Sequence, residues 1–210
     1  MSAADRLSKI KGLLKEKAQN SVKARPLFWK PAGLIQRISP SKKIQQWLST
    51  KDSLTAKLRL LCPDLEVVIL SEQLEAPLVN ESQSLNLGVN EKVWVRCVVL
   101  KGKGANWVYA RTVIPNFDDT NPWAHLQKLG NKPLGEVLFQ DKSIKRTPFT
   151  FATQSLDTWP YLGKHLGASQ AKKKGYARRS VFTQKGAPLL LTEVFLPGLV
   201  EEEKLSSKPN

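Results

Sequence analysis

The sequence predicts an α+β fold built on an antiparallel sheet, and two pairs of strand-like segments carry that prediction. Residues 92–101 (KVWVRCVVLK) and 107–114 (WVYARTVI) are rich in β-branched and aromatic side chains and flank a loop with two glycines, which is typical of a β-hairpin. Residues 176–183 (YARRSVFT) and 188–196 (PLLLTEVFL) form a second such pair. Helical segments lie between the hairpins and not after every strand, and this order favours α+β over alternating β-α-β.

The remaining elements of the folded region follow from cap, breaker and periodicity signals. Asp52 or Ser53 caps a short helix that a proline ends. A β-rich strand follows at 65–71. Residues 120–139 have helical character, with a new turn opening at a Pro-Leu-Gly sequence. Residues 145–154 alternate like a strand, and the proline inside them indicates an edge or a bulge.

The length of 210 residues suits one domain with short additions at its ends. We divide the chain into a basic helix with a proline-broken connector (1–41), a folded domain (42–200) and a flexible polar tail (201–210). Residues 2–19 carry apolar side chains at helical spacing with lysines around them. Prolines then interrupt residues 21–40.

The net charge of +15 is concentrated in two segments. Residues 1–47 hold eleven basic and two acidic residues, and residues 158–192 hold seven basic and no acidic residues. Such an excess could bind nucleic acid, but zinc-finger, RNA-binding and Gly-x-x-Gly signatures are absent from the sequence, so we expect no specific nucleic-acid partner. The other interpretation is that positive charge attracts a small polyanionic metabolite.

Several classes of protein are disfavoured by composition. Cys62 and Cys97 lie in or beside apolar stretches, as buried reduced thiols do. His125 and His165 are isolated, so we expect no metal site. Glycine-rich nucleotide motifs do not occur, so we expect no nucleotide cofactor. No apolar run reaches the ~18–20 residues of a membrane span and no secretory signal begins the chain, so we expect a cytoplasmic protein without a transmembrane segment.

Three strands each place one charged residue in the middle of an apolar stripe. Side chains alternate faces along a strand, and Arg96, Arg111 and Glu193 each share a face with apolar neighbours on both sides. Arg178 also shares a face with aromatic residues. A lone buried charge costs several kcal/mol unless it is paired. Either an Arg–Glu bridge ties the two hairpins together, or the arginines bind the carboxylates of a flat ligand in an apolar cavity. Two arginines against one glutamate favour the ligand.

At these residues the chain resembles the chorismate pyruvate-lyase family. The similarity covers roughly residues 42–198 and occurs in family order. The matching stretches are 47–55 (WLSTKDSLT), 93–97 (VWVRC), 110–115 (ARTVIP), 126–130 (LQKLG) with 133–135 (PLG), 178–180 (RRS) and 189–197 (LLLTEVFLP).

The resemblance implies a fold and an activity. Members have an antiparallel, six-stranded sheet with helices packed against it and helical flaps over an enclosed site. They split chorismate into 4-hydroxybenzoate and pyruvate, the first committed step of ubiquinone synthesis in many bacteria. They use no metal or organic cofactor, and the aromatic product is held tightly. We expect this chain to act as a monomer.

The resemblance also implies roles for individual residues. Arg96 would bind the ring carboxylate with help from the backbone amide of Leu54. Glu193 would face the ring hydroxyl, or the ether oxygen of the substrate, and relay a proton. The backbone at Leu134 would line the site, and Arg111 would hold the enolpyruvyl carboxylate.

A small-molecule sensor is the alternative function. Ligand-binding domains of some bacterial transcription regulators share this kind of fold and bind metabolites, here an aromatic carboxylate, without reacting with them. Such regulators carry a DNA-binding domain of about 60–70 residues upstream. Residues 1–47 are too few and too rich in proline for that domain, which favours the enzyme.

Overall fold

A computed structural model describes residues 28–38, 41–88 and 91–205. The helix predicted at 2–19 lies outside the described residues. The strands are β1 (Lys30–Pro31), β2 (Glu66–Glu75), β3 (Val93–Gly102), β4 (Ala105–Pro115), β5 (Lys145–Arg146), β6 (Thr150–Ser155), β7 (Lys174–Gln184) and β8 (Ala187–Phe195). The α-helices are α1 (Lys42–Ser49), α2 (Leu54–Leu61), α3 (Val79–Leu85), α4 (Leu134–Leu138), α5 (Leu162–His165), α6 (Ala168–Ala171) and α7 (Pro197–Leu205), and 3₁₀ helices span Ala32–Arg37, Ala124–Lys128 and Leu156–Thr158.

The described strands form one antiparallel sheet, which confirms the predicted α+β class. Its order is β1-β6-β7-β8-β4-β3-β2, and β5 pairs with β7 beside β6. The two predicted hairpins are β3–β4 and β7–β8. Both turn through a Lys-Gly pair with positive φ, at Lys103–Gly104 and Lys185–Gly186, and such turns match the right-handed twist of the strands.

Six long strands and two of only two residues make up this sheet. Strand β2 extends beyond the predicted segment at 65–71, to Glu75, with a bulge between Ile69 and Ser71. The segment predicted as one strand at 145–154 divides into β5 and β6 because Pro148 lacks the N–H that a ladder needs. Residues 120–139 form two short helical pieces and not one helix.

The structure differs from the predicted domain boundaries at two places. Strand β1 adds to the sheet through Lys30, which pairs with Phe151, and Ile38 is buried in the core, so the folded body begins before residue 42. At the other end α7 continues to Leu205, into the segment predicted as a tail.

Both faces of the sheet are covered, and each has its own core. We call the face that carries Arg96 the site face, and its core includes residues from α1, α2 and the strands: Trp47, Leu48, Leu58, Val98, Leu100, Val108 and Phe195. The opposite face buries Val95, Val99, Tyr109, Trp159, Leu162 and Val194. A third cluster, around Trp94, Trp123, Leu126 and Leu189, covers the other end of the site face. The candidate site lies between the two site-face clusters.

Candidate active site

A cavity lies on the site face, between the sheet and the first residues of α2 and α4. Its floor is formed by side chains of three adjacent strands, namely Val98, Ala110, Thr112 and Leu191. These are small or apolar, and they leave a flat surface where a ring could lie. The cavity volume is about 40 Å³, room for about three water molecules at roughly 10–15 Å³ each.

The roof of the cavity is made where two helices begin. Ser53 caps α2, its Oγ accepting a hydrogen bond of 3.3 Å from the backbone N–H of Ala56, as expected from the sequence. This cap places Leu54 over the cavity, and Leu134 lines it from the start of α4. Leu54 and Leu134 thus both line the cavity, and their backbone contacts to a ligand stay predictions.

The two roof segments pack closely and are tied together. A Cβ at Gly135 would lie 3.0 Å from the Oγ1 of Thr55, so the glycine permits the helix starts to approach each other. On the outer side Arg59 of α2 forms an ion pair with Glu136 of α4. The roof corresponds to the helical flaps that the resemblance implied.

Arg96 lines one end of the cavity. Its side chain is 3% exposed and comes from the middle of β3. The guanidinium donates to a carboxylate oxygen of Glu72, its cross-strand neighbour on β2, and to the backbone carbonyl of Gly130. Gly130 has φ of +54°, a conformation that side chains disfavour, and it brings the chain back toward the sheet just before the roof. A positive charge is thus fixed at this end.

Glu193 lines the other end, and Arg178 holds it in place. The two residues face each other across β7 and β8, and the Nε of Arg178 donates to Glu193 Oε2 at 2.6 Å. The Nη1 of Arg178 donates to three backbone carbonyls near the end of α1, those of Trp47 (3.2 Å), Leu48 (3.3 Å) and Thr50 (2.6 Å). Arg178 therefore couples the carboxylate to α1.

Arg178 was not among the site residues predicted from the sequence, although it holds Glu193 beside the cavity. The strand pattern placed it on the face of its aromatic neighbours, but its partners in α1 lie about 130 residues earlier and leave no local signal. The prediction of an Arg–Glu bridge that ties the two hairpins together is wrong. Glu193 pairs with Arg178 inside the β7–β8 hairpin, beside the cavity, whereas Arg96 pairs with Glu72 of β2.

The register sets the distance between Arg96 and Glu193. Arg96 pairs with Thr112 on β4, and Glu193 pairs with Ala110 two residues away. Two strand spacings and one two-residue step put their Cα atoms roughly 12 Å apart. The guanidinium of Arg96 is held by Glu72 on β2 and the carboxylate of Glu193 by Arg178 on β7, so the flat floor on β4 lies between the two charged groups.

Arg111 does not join them, and the prediction that all three charges converge in one chamber is wrong. Arg111 lies opposite Cys97, so it belongs to the opposite face of the sheet. Its Nε and Nη2 donate to the two carboxylate oxygens of Glu81 (2.7 and 3.0 Å), and its Nη1 donates to Glu75 at 2.7 Å. With 1% of its side chain exposed, Arg111 has no path to the cavity.

One β-bulge explains the error. At the start of the hairpin Asn106 pairs with Lys101, but the next pair joins Val108 to Leu100, so Trp107 is an extra residue on β4. A shift of one residue moves every following side chain to the other face. The Trp107 ring packs on Gly102, where a Cβ would lie 2.4 Å from ring atoms, so the glycine makes room for the bulge.

We call Arg111 and the residues around it on the opposite face, namely Glu75, Glu81, Cys97 and Tyr109, the Arg111 cluster. Its role is structural. Burial raises the pKa of the Cys97 thiol, and burial also raises that of the Tyr109 hydroxyl, so both stay protonated. Burial alone would raise the pKa of Glu75, but hydrogen bonds from Tyr161 and Arg111 outweigh it and lower the pKa. The cluster fastens α3 and the end of β2 to β4.

The described residues add no other chemical centre. No three His, Cys, Asp or Glu side chains among them form a group that could hold a metal ion. Cys62 and Cys97 are buried and free. No helix in the described part of the chain is long and apolar enough to cross a membrane.

Comparison with known proteins identifies the family. The family model described as "Chorismate lyase" matches residues 24–205. The chain belongs to the chorismate lyase family. A probable chorismate pyruvate-lyase of Hydrogenovibrio crunogenus is 47% identical over 169 residues, covering 80% of this chain and 89% of that one. The chorismate pyruvate-lyase of Pectobacterium atrosepticum is 34% identical over 154 residues, covering 73% and 77%. Membership in the chorismate lyase family confirms the resemblance seen in the sequence.

Among solved structures, PhnF from Mycobacterium smegmatis is similar to this chorismate lyase family member with a TM-score of 0.47 and 14% identity, covering 64% of this chain and 59% of that one. The C-terminal domain of PhnF has a TM-score of 0.49 and 12% identity, covering 62% and 82%.

Proposed function

We propose that this chain eliminates pyruvate from chorismate and forms 4-hydroxybenzoate in the cavity on the site face. The observation that carries the proposal is one buried cavity with Arg96 at one end and Glu193 at the other, in a chain of the chorismate lyase family. The apolar floor between them suits the ring, and the charged ends suit its carboxylate and its hydroxyl.

The ring carboxylate would bind Arg96, whose planar guanidinium can donate two parallel hydrogen bonds to it. The backbone amide of Leu54, at the start of α2, supports the same carboxylate. Glu72 now holds Arg96, but its side chain is 25% exposed, so water can hydrate it when the ligand takes its place. The relatives' activity and the position of Arg96 together support this orientation.

Binding requires the roof to move. A cavity of about 40 Å³ is too small for a substituted ring, so the segments of Leu54 and Leu134 must separate from the sheet to admit one. When they close again the ligand is shielded from water, which strengthens its electrostatic contacts. This enclosure supports slow release of the product.

The reaction is an elimination that leaves an aromatic ring. The C4–H bond breaks and its electron pair completes the ring, while the C3–O bond breaks and its pair leaves on the enolpyruvate oxygen. The enolate of pyruvate that leaves takes up one proton, equivalent to the one lost from C4, and in pyruvate this proton lies on the former methylene carbon while the oxygen becomes the keto oxygen. Aromatisation drives the step, so the protein mainly supplies orientation and charge stabilisation. Glu193 is positioned beside the C4 hydroxyl and the ether oxygen, where a carboxyl group can relay a proton.

The test is to mix the purified chain with chorismate, without added metal, and to follow pyruvate and 4-hydroxybenzoate together. We expect the two products to appear in equal amounts. Chelator should leave the rate unchanged, since we also predict that no metal is used. Folded protein that releases neither product would refute the proposed function, and binding of chorismate without turnover would favour the sensor alternative.

The finer expectations stay predictions. The family supports a place at the first committed step of ubiquinone synthesis. A monomer in the cytoplasm is predicted from the sequence, and sedimentation of the purified chain tests the oligomeric state.

A further inference from the structure

If the proposed function is correct, on which this inference rests, the site must bind both negative charges of the substrate. Chorismate carries two carboxylates, one on the ring and one on the enolpyruvyl group, whereas 4-hydroxybenzoate keeps only the first. Arg96 can take the ring carboxylate. Arg111 lies on the opposite face, and Arg178 is already engaged with Glu193 and three carbonyls. A second cation is therefore needed near the Glu193 end.

Arg146 is a half-buried cation in that region. It lies in β5 opposite Phe182, whose side chain belongs to the site face. Three aromatic rings surround its guanidinium carbon, with centroids at 4.5 Å (Phe149), 5.7 Å (Phe139) and 5.8 Å (Phe182). Among the described residues no carboxylate forms an ion pair with it and no acceptor hydrogen-bonds it. Its five N–H donors are therefore available.

The position of Arg146 relative to the cavity follows from shared neighbours. Phe139 lines the cavity together with Glu193, and Arg146 lies against Phe139. The guanidinium carbons of Arg146 and Arg178 are each 4.5 Å from the centroid of Phe149, so they lie no more than twice that distance apart. Arg178 in turn contacts Glu193 at 2.6 Å.

Electrostatics at Arg146 agree with this position. Burial lowers the pKa of its guanidinium, and the nearby charge of Arg178 lowers it further, while the carboxylates of Glu193 and Asp52 act in the opposite direction. Arginine stays protonated in proteins, so an incompletely compensated positive charge remains. An anion placed beside it gains from that imbalance.

We infer that Arg146 binds the enolpyruvyl carboxylate of chorismate. The enolpyruvyl group is attached at C3, next to the C4 hydroxyl that faces Glu193, so its carboxylate extends toward the Phe139 end of the cavity. Phe139 is 43% exposed and can turn aside to let the carboxylate pass. At that point Arg146 holds the leaving group and stabilises the negative charge that develops on it as the C3–O bond breaks.

Lys132 is the competing cation. It also lines the cavity and is exposed, but it follows Gly130, whose carbonyl binds Arg96. Lys132 therefore belongs to the end where the ring carboxylate binds. Loss of Arg146 should therefore affect chorismate, which has the second carboxylate, and spare 4-hydroxybenzoate, which lacks it. Loss of Lys132 should affect both ligands alike.

The experiment compares chorismate with 4-hydroxybenzoate in matched variants. For Arg146→Gln we expect kcat/KM for chorismate to fall about ten- to hundredfold, the range for losing a charged hydrogen bond, while the Kd for 4-hydroxybenzoate stays within twofold. Arg146→Lys keeps the charge and should recover part of the rate. Lys145→Gln, an exposed neighbour in the same strand, serves as the control and should match the wild type. Circular dichroism verifies that each variant is folded.

Three outcomes would overturn the assignment. In the first, Arg146→Gln keeps the wild-type kcat/KM. In the second, it weakens 4-hydroxybenzoate as strongly as chorismate, which would show a general effect on the pocket. In the third, Lys132→Gln shows the chorismate-specific loss and Arg146→Gln does not. Wild-type protein without lyase activity would refute the proposed function and this assignment with it, whereas each of the three outcomes in an active protein refutes the assignment alone.

Discussion

Replacing Arg96 with alanine should weaken the binding of 4-hydroxybenzoate at least tenfold. Arg96 is buried at one end of the cavity and presents a guanidinium there. A charged hydrogen bond contributes about 1.5–3 kcal/mol, and about 1.4 kcal/mol corresponds to a factor of ten in Kd. The variant also leaves Glu72 without its partner, but that carboxylate is partly exposed and can be hydrated, so most of the loss should appear in ligand binding and not in folding.

Isothermal titration calorimetry with 4-hydroxybenzoate measures this loss. Arg96→Lys should fall between the wild type and Arg96→Ala, because lysine keeps the charge but lacks the planar fork. Lys101→Ala is the matched control on the same strand, since its partner Glu66 is 3.9 Å away and exposed, and such pairs contribute about 0–1 kcal/mol. An Arg96→Ala variant that binds the product as tightly as the wild type would refute the proposed orientation.

Three further variants test other parts of the site and of the opposite face. Glu193→Gln should lower kcat more than it changes the Kd of 4-hydroxybenzoate, measured by product formation and calorimetry; wild-type turnover would exclude a proton role. Arg178→Ala should destabilise the fold by about 3 kcal/mol in urea titrations, because it leaves Glu193 and three carbonyls without their donor; a loss under 1 kcal/mol would contradict this. The folded state lowers the pKa of Glu75. The contribution of Glu75 to the free energy of unfolding is therefore complete above the ordinary pKa of 4.5 and is lost as pH falls through the lowered pKa. Glu75→Gln should therefore make the free energy of unfolding less dependent on pH in the acid range. A pH dependence equal to that of the wild type would contradict this prediction.

The strands could be predicted from sequence because their evidence is local. Alternating apolar residues and Lys-Gly turns specify both hairpins, and the structure places those turns at Lys103–Gly104 and Lys185–Gly186. The face of each charge within its own strand also followed from the pattern. Arg96 and Glu193 both line one cavity, while their roles toward a ligand stay predictions.

Relations between strands were harder to predict. Without the bulge at Trp107, the two-residue turn would have put Arg111 opposite Arg96, on one face; the bulge moved Arg111 to the other side of the sheet. Trp107 lies in a continuous apolar run, so nothing in the sequence distinguishes it as an extra residue. Register depends on packing, here of Trp107 on Gly102, and alternation along one strand contains no information about it.

Residues whose role depends on distant elements were also missed. Arg178 holds Glu193, but its own anchor is the end of α1. Arg146 is defined by rings from three segments, those of Phe139, Phe149 and Phe182. Such groupings form only when the sheet assembles, so periodicity and spacing do not reveal them.

A crystal structure of the chain soaked with 4-hydroxybenzoate tests the central claim most directly. We predict that the ligand lies on the floor formed by Ala110 and its neighbours, with its carboxylate on Arg96 and its hydroxyl facing Glu193, beneath a roof displaced outward from its present position. Ligand bound beside Arg111 on the opposite face, or a site-face cavity that stays closed and empty at saturating ligand, would contradict the account.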